Sequence, residues 1–322
     1  MAEGNGEKLN FPEVPYPYQL LELVGSGGLG RVFKAKNLYS GDIVAIKFLH
    51  DEMFKKPEIL GSFHKELLIL SQMKHKNIVS YREAKWNPPH CFMVTDFIEG
   101  WNGHTLLKKV GKFPPLIAIS ITLQVLQAVD HLHVHDIIHS DLTPGNILID
   151  KEGRVYLTDF GLSMVSEVDS SEGKKFGTPG YFSPEHINRK KLVEGSDLYA
   201  AGLLLYQFIA GVRFLPASKN RHDVVPVMRK RNLSLIHTQS SRFQAYLIKI
   251  LKNSLSYFQF FRYSDVEPMI YDLSSLLYKS GINYPRHAVW QYLSDLGVSE
   301  REFKGKKQNI YAISSVVQED KK

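Results

Sequence analysis

Apolar and polar positions alternate in the first third of the chain in a way that predicts β-strands. Partly alternating apolar residues over 18–24 and 31–35 have the period of two expected of a hairpin. Apolar stretches over 42–49, 79–83 and 91–97 predict three further strands. This part of the chain is therefore predicted to form a small sheet.

Helical periodicity begins at Pro57 and dominates the later chain. After Pro57, apolar residues recur with a period of 3.6 at Leu60, Phe63, Leu67, Leu70 and Met73. Further helices are predicted over 114–134, 198–210, 243–255 and 265–277. The run 198–210 is apolar all round, contains Gln207 and is too short to cross a bilayer, so we interpret it as a buried helix.

Three polar side chains interrupt an otherwise apolar stretch between His139 and Gly161. Asp141, Asn146 and Asp159 are flanked by apolar residues that predict two short buried strands. Carboxylate and amide oxygens gathered at one edge suit a hard cation such as Mg²⁺, which also binds substrate phosphates. One acid is left to orient a nucleophile.

A glycine-rich turn, G-S-G-G-L-G at 25–30, joins the two strands of the predicted hairpin. Glycine lets backbone N–H groups approach phosphates closely because no Cβ intervenes. The same spacing before a helix would indicate a dinucleotide site. Here a strand follows, which favours a flap over a nucleotide.

In the first third of the chain, two charged residues are candidate functional residues: Lys47 and Glu66. Lys47 ends V-A-I-K within a strand, about fifteen residues after the glycine-rich turn, where a lysine can reach phosphates. Glu66 borders the buried face of the first helix and needs a cation, for which Lys47 is the nearest candidate by motif. The alternatives are a solvent-facing lysine and a solvated glutamate.

Composition sets the class of protein. With 322 residues and 43% apolar content, the chain can bury a large core as one bilobed domain or two small ones. Cys91 is the one cysteine, which excludes an intramolecular disulfide and fits a reducing compartment. The N-terminus M-A-E-G-N-G-E-K has no apolar core, so no secretory signal is expected. No membrane span is expected either, because the run 198–210 is too short. The predicted location is therefore cytoplasmic.

Charge and histidine content add two negative predictions. The net charge of +7 includes basic clusters at 189–191, 229–231 and 304–307, which lie far apart in the chain and lack an interleaved aromatic platform, so solvated faces are favoured over nucleic-acid binding. The histidines of H-L-H-V-H at 131–135 have no accompanying cysteine or paired carboxylates, so helix-end histidines are favoured over a zinc site.

Together the glycine-rich turn, V-A-I-K, D-x-x-x-x-N and D-F-G resemble the eukaryotic-type (Hanks-type) serine/threonine protein kinase family, which includes bacterial members. The resemblance implies an α+β, bilobed fold with a small antiparallel sheet lobe carrying one helix and a larger, mainly helical lobe. It covers residues 18–280, with a small lobe over 18–97, a hinge over about 96–100 and a helical lobe over 101–280. Extensions at 1–17 and 281–322 lie outside it.

The resemblance also implies ATP, Mg²⁺ or alternatively Mn²⁺, and protein substrates. Asp141 would act as the base, Lys47 paired with Glu66 would hold the phosphates, and Asn146 and Asp159 would hold the metal. The implied nucleotide-binding residues are Val24, Gly25, Gly27, Gly30, Val32, Ala45, Lys47, Thr95, Asp96, Ile98 and Leu148. Among them Thr95 would be the gatekeeper, and the backbone of Asp96 and Ile98 would meet the adenine edge.

Further roles follow from the later motifs. Residues 162–182 and G-T-P-G-Y-F-S-P-E resemble an activation segment and a docking loop, with protein substrates near Thr178–Tyr181. The resemblance pairs Glu185 with Arg262 and makes Asp197 a support for the backbone of the catalytic loop, which is the H-S-D-L-T-P-G-N segment at 139–146. His139 is expected to support that loop from the core.

Two catalytic-loop positions depart from the family. Ser140 replaces the usual arginine and Ser163 and Met164 add no cation, so phosphorylation at Ser170 or Ser171 is predicted to be a weak switch. Thr143 replaces a lysine that would steady the transferred phosphate.

These departures motivate one alternative, a pseudokinase or scaffold, while the docking loop disfavours small-molecule phosphotransfer. Beyond residue 280 we expect a short helix over 287–296 that packs on the large lobe, with autoinhibition or docking as the other possibility. Oligomeric state is not predicted.

Overall fold

The chain was analysed as a computed structural model, which describes residues 14, 16–26, 30–50, 52, 56–87, 90–160 and 177–297. The described part folds into two lobes. The small lobe is a five-stranded antiparallel sheet in the order β1-β2-β3-β5-β4 with one helix. Its elements are β1 (Tyr18–Ser26), β2 (Gly30–Asn37), β3 (Ile43–Leu49), α1 (Pro57–Gln72), β4 (Tyr81–Asn87) and β5 (His90–Asp96).

The large lobe is mainly helical and carries a three-stranded antiparallel sheet, β6-β7-β8, at its edge. The elements are β6 (Gly100–Asn102), α2 (Gly103–Val110), α3 (Pro115–His133), β7 (Ile147–Asp150), β8 (Val155–Leu157), α4 (Pro184–Ile187), α5 (Glu194–Ala210), α6 (Arg221–Lys230), α7 (Ser241–Ser254), α8 (Val266–Lys279) and α9 (Pro285–Asp295). The predicted bilobed α+β fold is confirmed.

Helices α3 and α5 form the centre of the large lobe because both are apolar on nearly every face. Phe113, just before α3, packs edge-on against Phe208 of α5 at 5.3 Å between ring centroids. Among the described helices, α3 is the one long and apolar enough to cross a membrane, and 72% of the relevant window is buried inside the lobe. Like the run 198–210, α3 is a core helix, with most of its residues buried.

Two of the three core clusters of the described residues involve the small lobe's sheet and α1. Phe33, Phe48 and Phe92 fill the outer core of the small lobe, between β-strands. Helix α1 instead buries Phe63 and Leu70 in the large cluster that runs into the helical lobe. The position of Glu66 on α1 is therefore set by packing that spans both lobes.

The boundary of β4 differs from the prediction. The strand runs from Tyr81 to Asn87, whereas 79–83 was predicted. The N–H of Val79 donates to the carbonyl of Leu157 at 3.1 Å, and Ile78 forms an isolated bridge with the same residue. Residues 78–79 are therefore attached to the large lobe, and this long-range pairing has no local signal in the sequence.

Helix α9 packs against α3. Val289 and Leu293, both on α9, are fully buried. Nη2 of Arg286 donates to Oε2 of Glu152, in the turn between β7 and β8, at 3.0 Å. Gly153 in that turn has φ +78°, and a Cβ there would lie 2.3 Å from the Arg286 carbonyl oxygen. The turn thus admits α9 because position 153 has no side chain.

Candidate active site

The ammonium group of Lys47 lies at the centre of the candidate site. From β3, its Nζ donates to both carboxylate oxygens of Glu66 on α1, at 3.0 and 2.9 Å. It also donates to Oδ1 of Asp159, which follows β8, at 3.1 Å. Burial opposes the charge, but the carboxylates of Asp159 and Glu66 outweigh it and raise the pKa of Lys47 above its usual value. The lysine stays a cation held by two acids.

Asp197 organises the catalytic-loop backbone, as the resemblance implies. Its Oδ2 accepts from the N–H of His139 and its Oδ1 from the N–H of Ser140, both at 2.9 Å. Burial opposes its ionisation, but hydrogen bonds from His133 and from the His139 backbone lower the pKa of Asp197. An ionised acid therefore fixes the loop, in which Ser140 has φ +65°.

Sequence reasoning missed the part that His133 takes in this arrangement. Its Nε2 lies 2.9 Å from Oδ2 of Asp197, although the two residues are 64 positions apart. The other histidines of H-L-H-V-H stack elsewhere, with His131 5.0 Å from His75. Across the described residues, no group of three or more metal-ligating side chains is found.

Asp141 is buried at the edge of this loop and is held from two sides. Its Oδ1 accepts from the N–H of Thr178 at 3.0 Å, and its Oδ2 accepts from Nδ2 of Asn146 at 3.1 Å. Burial raises the pKa of Asp141, partly offset by the hydrogen bond from the Thr178 side chain. A fixed carboxylate with a raised pKa suits a proton acceptor.

His139 lies wholly inside the core next to that carboxylate. Its ring packs edge-on against Phe160 at 5.1 Å, and its Nδ1 accepts from the N–H of Asp141 at 3.3 Å. The structure thus places His139 where it supports the loop, in agreement with the expectation.

Asn146 and Asp159 together offer the oxygen donors that a hard cation prefers. Nδ2 of Asn146 is used twice, toward the carbonyl and the side chain of Asp141. Within the described part of the chain, Oδ1 of Asn146 makes no hydrogen bond, so it is available as a ligand. Asp159 has φ +65°, a strained backbone that fixes the direction of its side chain after β8. This donor set fits Mg²⁺.

An apolar cluster between the lobes contains five of the predicted nucleotide-binding residues. Val24, Val32, Ala45, Ile98 and Leu148 are buried in one group. Val79 completes it and was not identified from the sequence, where it had been placed inside β4. The two faces come from different lobes, since Leu148 lies on β7 and the first three lie on β1 to β3.

The predicted hinge begins where β5 ends, at Asp96. Its N–H donates to the carbonyl of Ser80 at 2.9 Å, so any contact between its backbone and adenine uses its carbonyl group. Thr95 is largely buried just before it, at the position predicted for a gatekeeper.

Two of the predicted glycines, Gly25 and Gly30, lie at the end of the β1–β2 hairpin. Gly25 pairs with Val32, and Gly30 opens β2 so close to β3 that a Cβ would meet the Phe48 carbonyl oxygen at 1.9 Å. Gly27 is outside the described residues. Of the eleven nucleotide-binding residues predicted, the structure therefore places all but Gly27.

The segment predicted to be a docking loop contacts Asp141 directly through the N–H of Thr178. Farther along, Arg262 makes a bidentate contact with Glu185 at 2.9 and 2.8 Å, both residues being buried. Despite burial, this guanidinium lowers the pKa of Glu185. Tyr181 donates a short hydrogen bond to Gln207 of α5. The predicted ion pair thus anchors the loop to the helical core.

His186, on α4, lies behind the catalytic loop. Its ring stacks on Phe182 at 5.4 Å, and its Nδ1 accepts from the N–H of Ser183 at 3.2 Å. Burial lowers the pKa of His186 to about 4, although a hydrogen bond with the Ser140 backbone acts in the opposite direction. His186 is therefore neutral at pH 7 and adds no cation beside Ser140.

The predicted weak phosphorylation switch remains a prediction. Ser163, Met164, Ser170 and Ser171 lie outside the described residues. Thr143 is buried in the loop and offers no charge where the family has a lysine.

Comparison with known proteins places these features in a family context. A sequence profile described as a protein kinase domain matches residues 18–269. A probable serine/threonine-protein kinase of Clostridium perfringens is 34% identical over 61% of this chain and 29% of its own length. Protein kinase 3 of Dictyostelium discoideum is 34% identical over 73% of this chain and 27% of its own length.

A third relative extends the match in this chain. The probable serine/threonine-protein kinase PknB of Lactococcus lactis is 28% identical over 80% of this chain and 42% of its own length. The chain thus spans less than half the length of these relatives.

Proposed function

The chain belongs to the eukaryotic-type serine/threonine protein kinase family, and on this basis we propose that it transfers the γ-phosphate of ATP to serine or threonine hydroxyls of proteins. One observation carries the proposal: the Lys47 ammonium contacts Glu66 and Asp159 simultaneously, and Lys47 pairs across β2 and β3 with Val32 of the apolar cluster between the lobes. A cation at this position, held by two acids, is suited to phosphate groups.

The mechanism that we propose relies on positioning and charge. Asn146 and Asp159 would hold Mg²⁺, which when bound neutralises phosphate charge. Lys47 binds the phosphates while Glu66 keeps the ammonium in place. Val24, Val32, Ala45 and Leu148 exclude water from the adenine faces, and the glycines at 25 and 30 allow backbone approach.

Asp141 is the proton acceptor in this proposal. Hydrogen bonds from Thr178 and Asn146 orient its carboxylate, and its raised pKa makes it a better base than an exposed aspartate. Because Thr178 belongs to the docking loop, a substrate hydroxyl bound near Thr178–Tyr181 would be delivered to Asp141. This contact favours protein substrates over small metabolites.

A chain with one cysteine needs no oxidising compartment, which supports a cytoplasmic location.

A scaffold that binds nucleotide without catalysis is the second candidate, and Ser140 and Thr143 are the observations that favour it. Both remove a positive charge from the catalytic loop. The complete set of Lys47, Glu66 and Asp141 outweighs them, because a scaffold has no chemical need for a proton acceptor.

Incubation with Mg²⁺ and γ-labelled ATP, with phosphosites mapped by mass spectrometry, separates the two candidates. We expect label on serine or threonine with the wild-type chain, and a decrease of about a hundredfold or more with Asp141→Asn, because the amide cannot accept the proton. ATP binding should be nearly unchanged in this variant. Equal labelling by both proteins would refute the role of Asp141, and no labelling despite Mg²⁺-ATP binding would favour the scaffold.

A further inference from the structure

An exposed aromatic group lies between α7 and α8. The side chains of Phe258, Phe260 and Phe261 are 59%, 90% and 64% exposed. Their rings contact one another edge-on, with centroids 6.5 Å apart for Phe258 and Phe261 and 5.4 Å apart for Phe260 and Phe261. Contiguous exposed rings are costly in water, and such patches are typical of interaction sites.

Two arginines at the end of α6 adjoin these rings. Arg229 and Arg231 line a cavity of about 430 Å³ together with Tyr257, Phe258 and Phe261. The Arg229 guanidinium lies 5.0 Å from the Tyr257 ring centroid, and Nη1 of Arg231 donates to the carbonyl of Lys252 at 2.9 Å. Both cations are therefore held in place. We call this group the aromatic–arginine surface (Arg229, Arg231, Tyr257, Phe258, Phe260 and Phe261).

The surface revises our interpretation of the basic clusters. The sequence predicts that the clusters at 189–191 and 229–231 are distant and lack an aromatic platform, but Nδ2 of Asn188 donates to the Tyr257 hydroxyl at 3.0 Å. The exposed run 189–191 thus begins next to the aromatic–arginine surface. Tyr257 thus contacts both Arg229 of one basic cluster and Asn188, which directly precedes the other cluster.

The surface is also connected to the docking loop. Asn188 caps the C-terminus of α4, the short helix that follows the loop, and Glu185 on α4 is the partner of Arg262. Arg262 in turn donates to the carbonyls of Ser256 and Tyr257. The same contacts that anchor the docking loop therefore position the aromatic–arginine surface.

We propose that the aromatic–arginine surface docks an acidic segment rich in leucine and phenylalanine on protein substrates, an inference that rests on the proposed kinase function. Guanidinium groups bind carboxylates in a bidentate manner, and the exposed rings require apolar partners. Single-stranded nucleic acid has related chemistry, with phosphates and stacking bases. The connection with the docking loop favours a protein.

Direct binding tests the surface without catalysis. The probe is a fluorescent twelve-residue peptide that alternates glutamate with leucine or phenylalanine and has no hydroxyl group. A second peptide has lysine in place of glutamate, and a third probe is a single-stranded oligothymidylate of twelve nucleotides. The proteins are the wild-type chain, Arg229→Glu, Phe261→Ala and, as a charge-matched control, Arg242→Glu at an exposed site on α7.

We expect the wild-type chain to bind the acidic peptide at least tenfold more tightly than the lysine peptide. Arg229→Glu and Phe261→Ala should each weaken binding at least fivefold, whereas Arg242→Glu should not. Equal binding by all four proteins would overturn the proposal. Tighter binding of the oligonucleotide, dependent on Arg229 and Phe261, would overturn it in favour of nucleic acid.

A kinetic experiment tests the docking role. The acidic segment is joined through a glycine linker to a peptide with one serine, and we expect its KM to fall at least fivefold with kcat unchanged. Arg229→Glu should abolish this gain and leave the kinetics of the unextended peptide unchanged. The absence of a gain in the wild-type chain would overturn docking. If no protein transfers phosphate although the probe binds, the kinase function itself is overturned.

Discussion

At the scale of single residues, the site depends on buried charges that neutralise one another. Lys47, Glu66 and Asp159 have side chains that are 12%, 3% and 6% exposed, so each would be costly to bury alone. The net charge of the three is negative, which prepares the site for a further cation. Their mutual dependence leads to a prediction about stability as well as activity.

Lys47→Met should lower phosphate transfer at least a hundredfold and lower the free energy of unfolding by about 3 kcal/mol, because two buried carboxylates lose their cation. Denaturant unfolding and the transfer assay measure the two effects. Lys47→Met combined with Glu66→Gln should be less destabilised than the sum of the single variants, since one of the stranded charges is removed. Additive effects would argue against the coupling.

A pH effect is expected from His186. Its pKa in the folded chain, about 4, lies below the usual value of 6.5, so the unfolded chain takes up a proton first as the pH falls. Its contribution to stability is fully present above pH 6.5 and is lost as the pH falls toward 4. The shift corresponds to roughly 3 kcal/mol, which residual water contact at the half-buried ring reduces to about 2 kcal/mol.

Unfolding measured from pH 7 to pH 4 checks this effect. In His186→Asn, which keeps an acceptor for the Ser183 N–H, stability should fall less over this range than in the wild-type chain. His222→Asn, at an exposed position, is the control and should behave like the wild type. If His186→Asn retains the full pH dependence, another group is responsible.

At the scale of secondary structure, the turn between β7 and β8 connects the candidate site to α9. Gly153 and Gly41 share φ +78°, but only at Gly153 would a Cβ meet backbone, 2.3 Å from the Arg286 carbonyl oxygen and 2.4 Å from the Trp290 nitrogen. Nothing lies within 4 Å at Gly41. The two glycines therefore allow backbone strain and helix contact to be measured separately.

Gly41→Ala should cost about 1 kcal/mol from the left-handed backbone alone. Gly153→Ala should cost at least about 2 kcal/mol more, because α9 must move away from α3 and expose Val289 and Leu293. Denaturant unfolding gives the energies, and limited proteolysis reports whether α9 is displaced. Similar costs for the two variants would mean that α9 contributes little to the fold.

The comparison between sequence and structure is also clearest at this scale. Local periodicity was sufficient for α1, whose predicted start at Pro57 is the observed start, and for β7 and β8, which both lie between Asn146 and Asp159. Periodicity could not place Val79, because its environment is set by pairing with Leu157, 78 positions away. It likewise could not reveal the contact between His133 and Asp197. Motif spacing identified the charged groups and the resemblance supplied the pairing of Glu185 with Arg262, whereas contacts outside these motifs required the tertiary structure.

At the scale of the whole molecule, the candidate nucleotide site is assembled from both lobes. Strands β1 to β3 supply one apolar face and Lys47, and β7 supplies the other apolar face. Asp141 lies in the catalytic loop, and Asp159 follows β8. A ligand at this position would contact both lobes and should stabilise the entire fold rather than one part of it.

Thermal unfolding tests the assembly without requiring turnover. At about a hundredfold its Kd, Mg²⁺-ATP should raise the free energy of unfolding of the wild-type chain by about 2.7 kcal/mol. The Asp141→Asn variant should be stabilised by Mg²⁺-ATP by a similar amount. In Asp159→Asn, which lacks the carboxylate that would hold the metal, ATP should stabilise the fold equally with and without Mg²⁺. A full magnesium-dependent gain in Asp159→Asn would contradict the assignment of the metal ligand.

The single cysteine offers a way to observe the small lobe open. Cys91 lies on β5 and is 1% exposed, with its side chain packed in the core cluster that α1 shares with the large lobe. A thiol reagent reacts with an exposed thiolate, so modification requires a transient opening of this region. When closing is faster than reaction, the labelling rate is the opening equilibrium constant multiplied by the rate for an open thiol. The Cys91 thiol therefore allows the opening equilibrium of the small lobe to be measured in the unaltered chain, with no engineered probe.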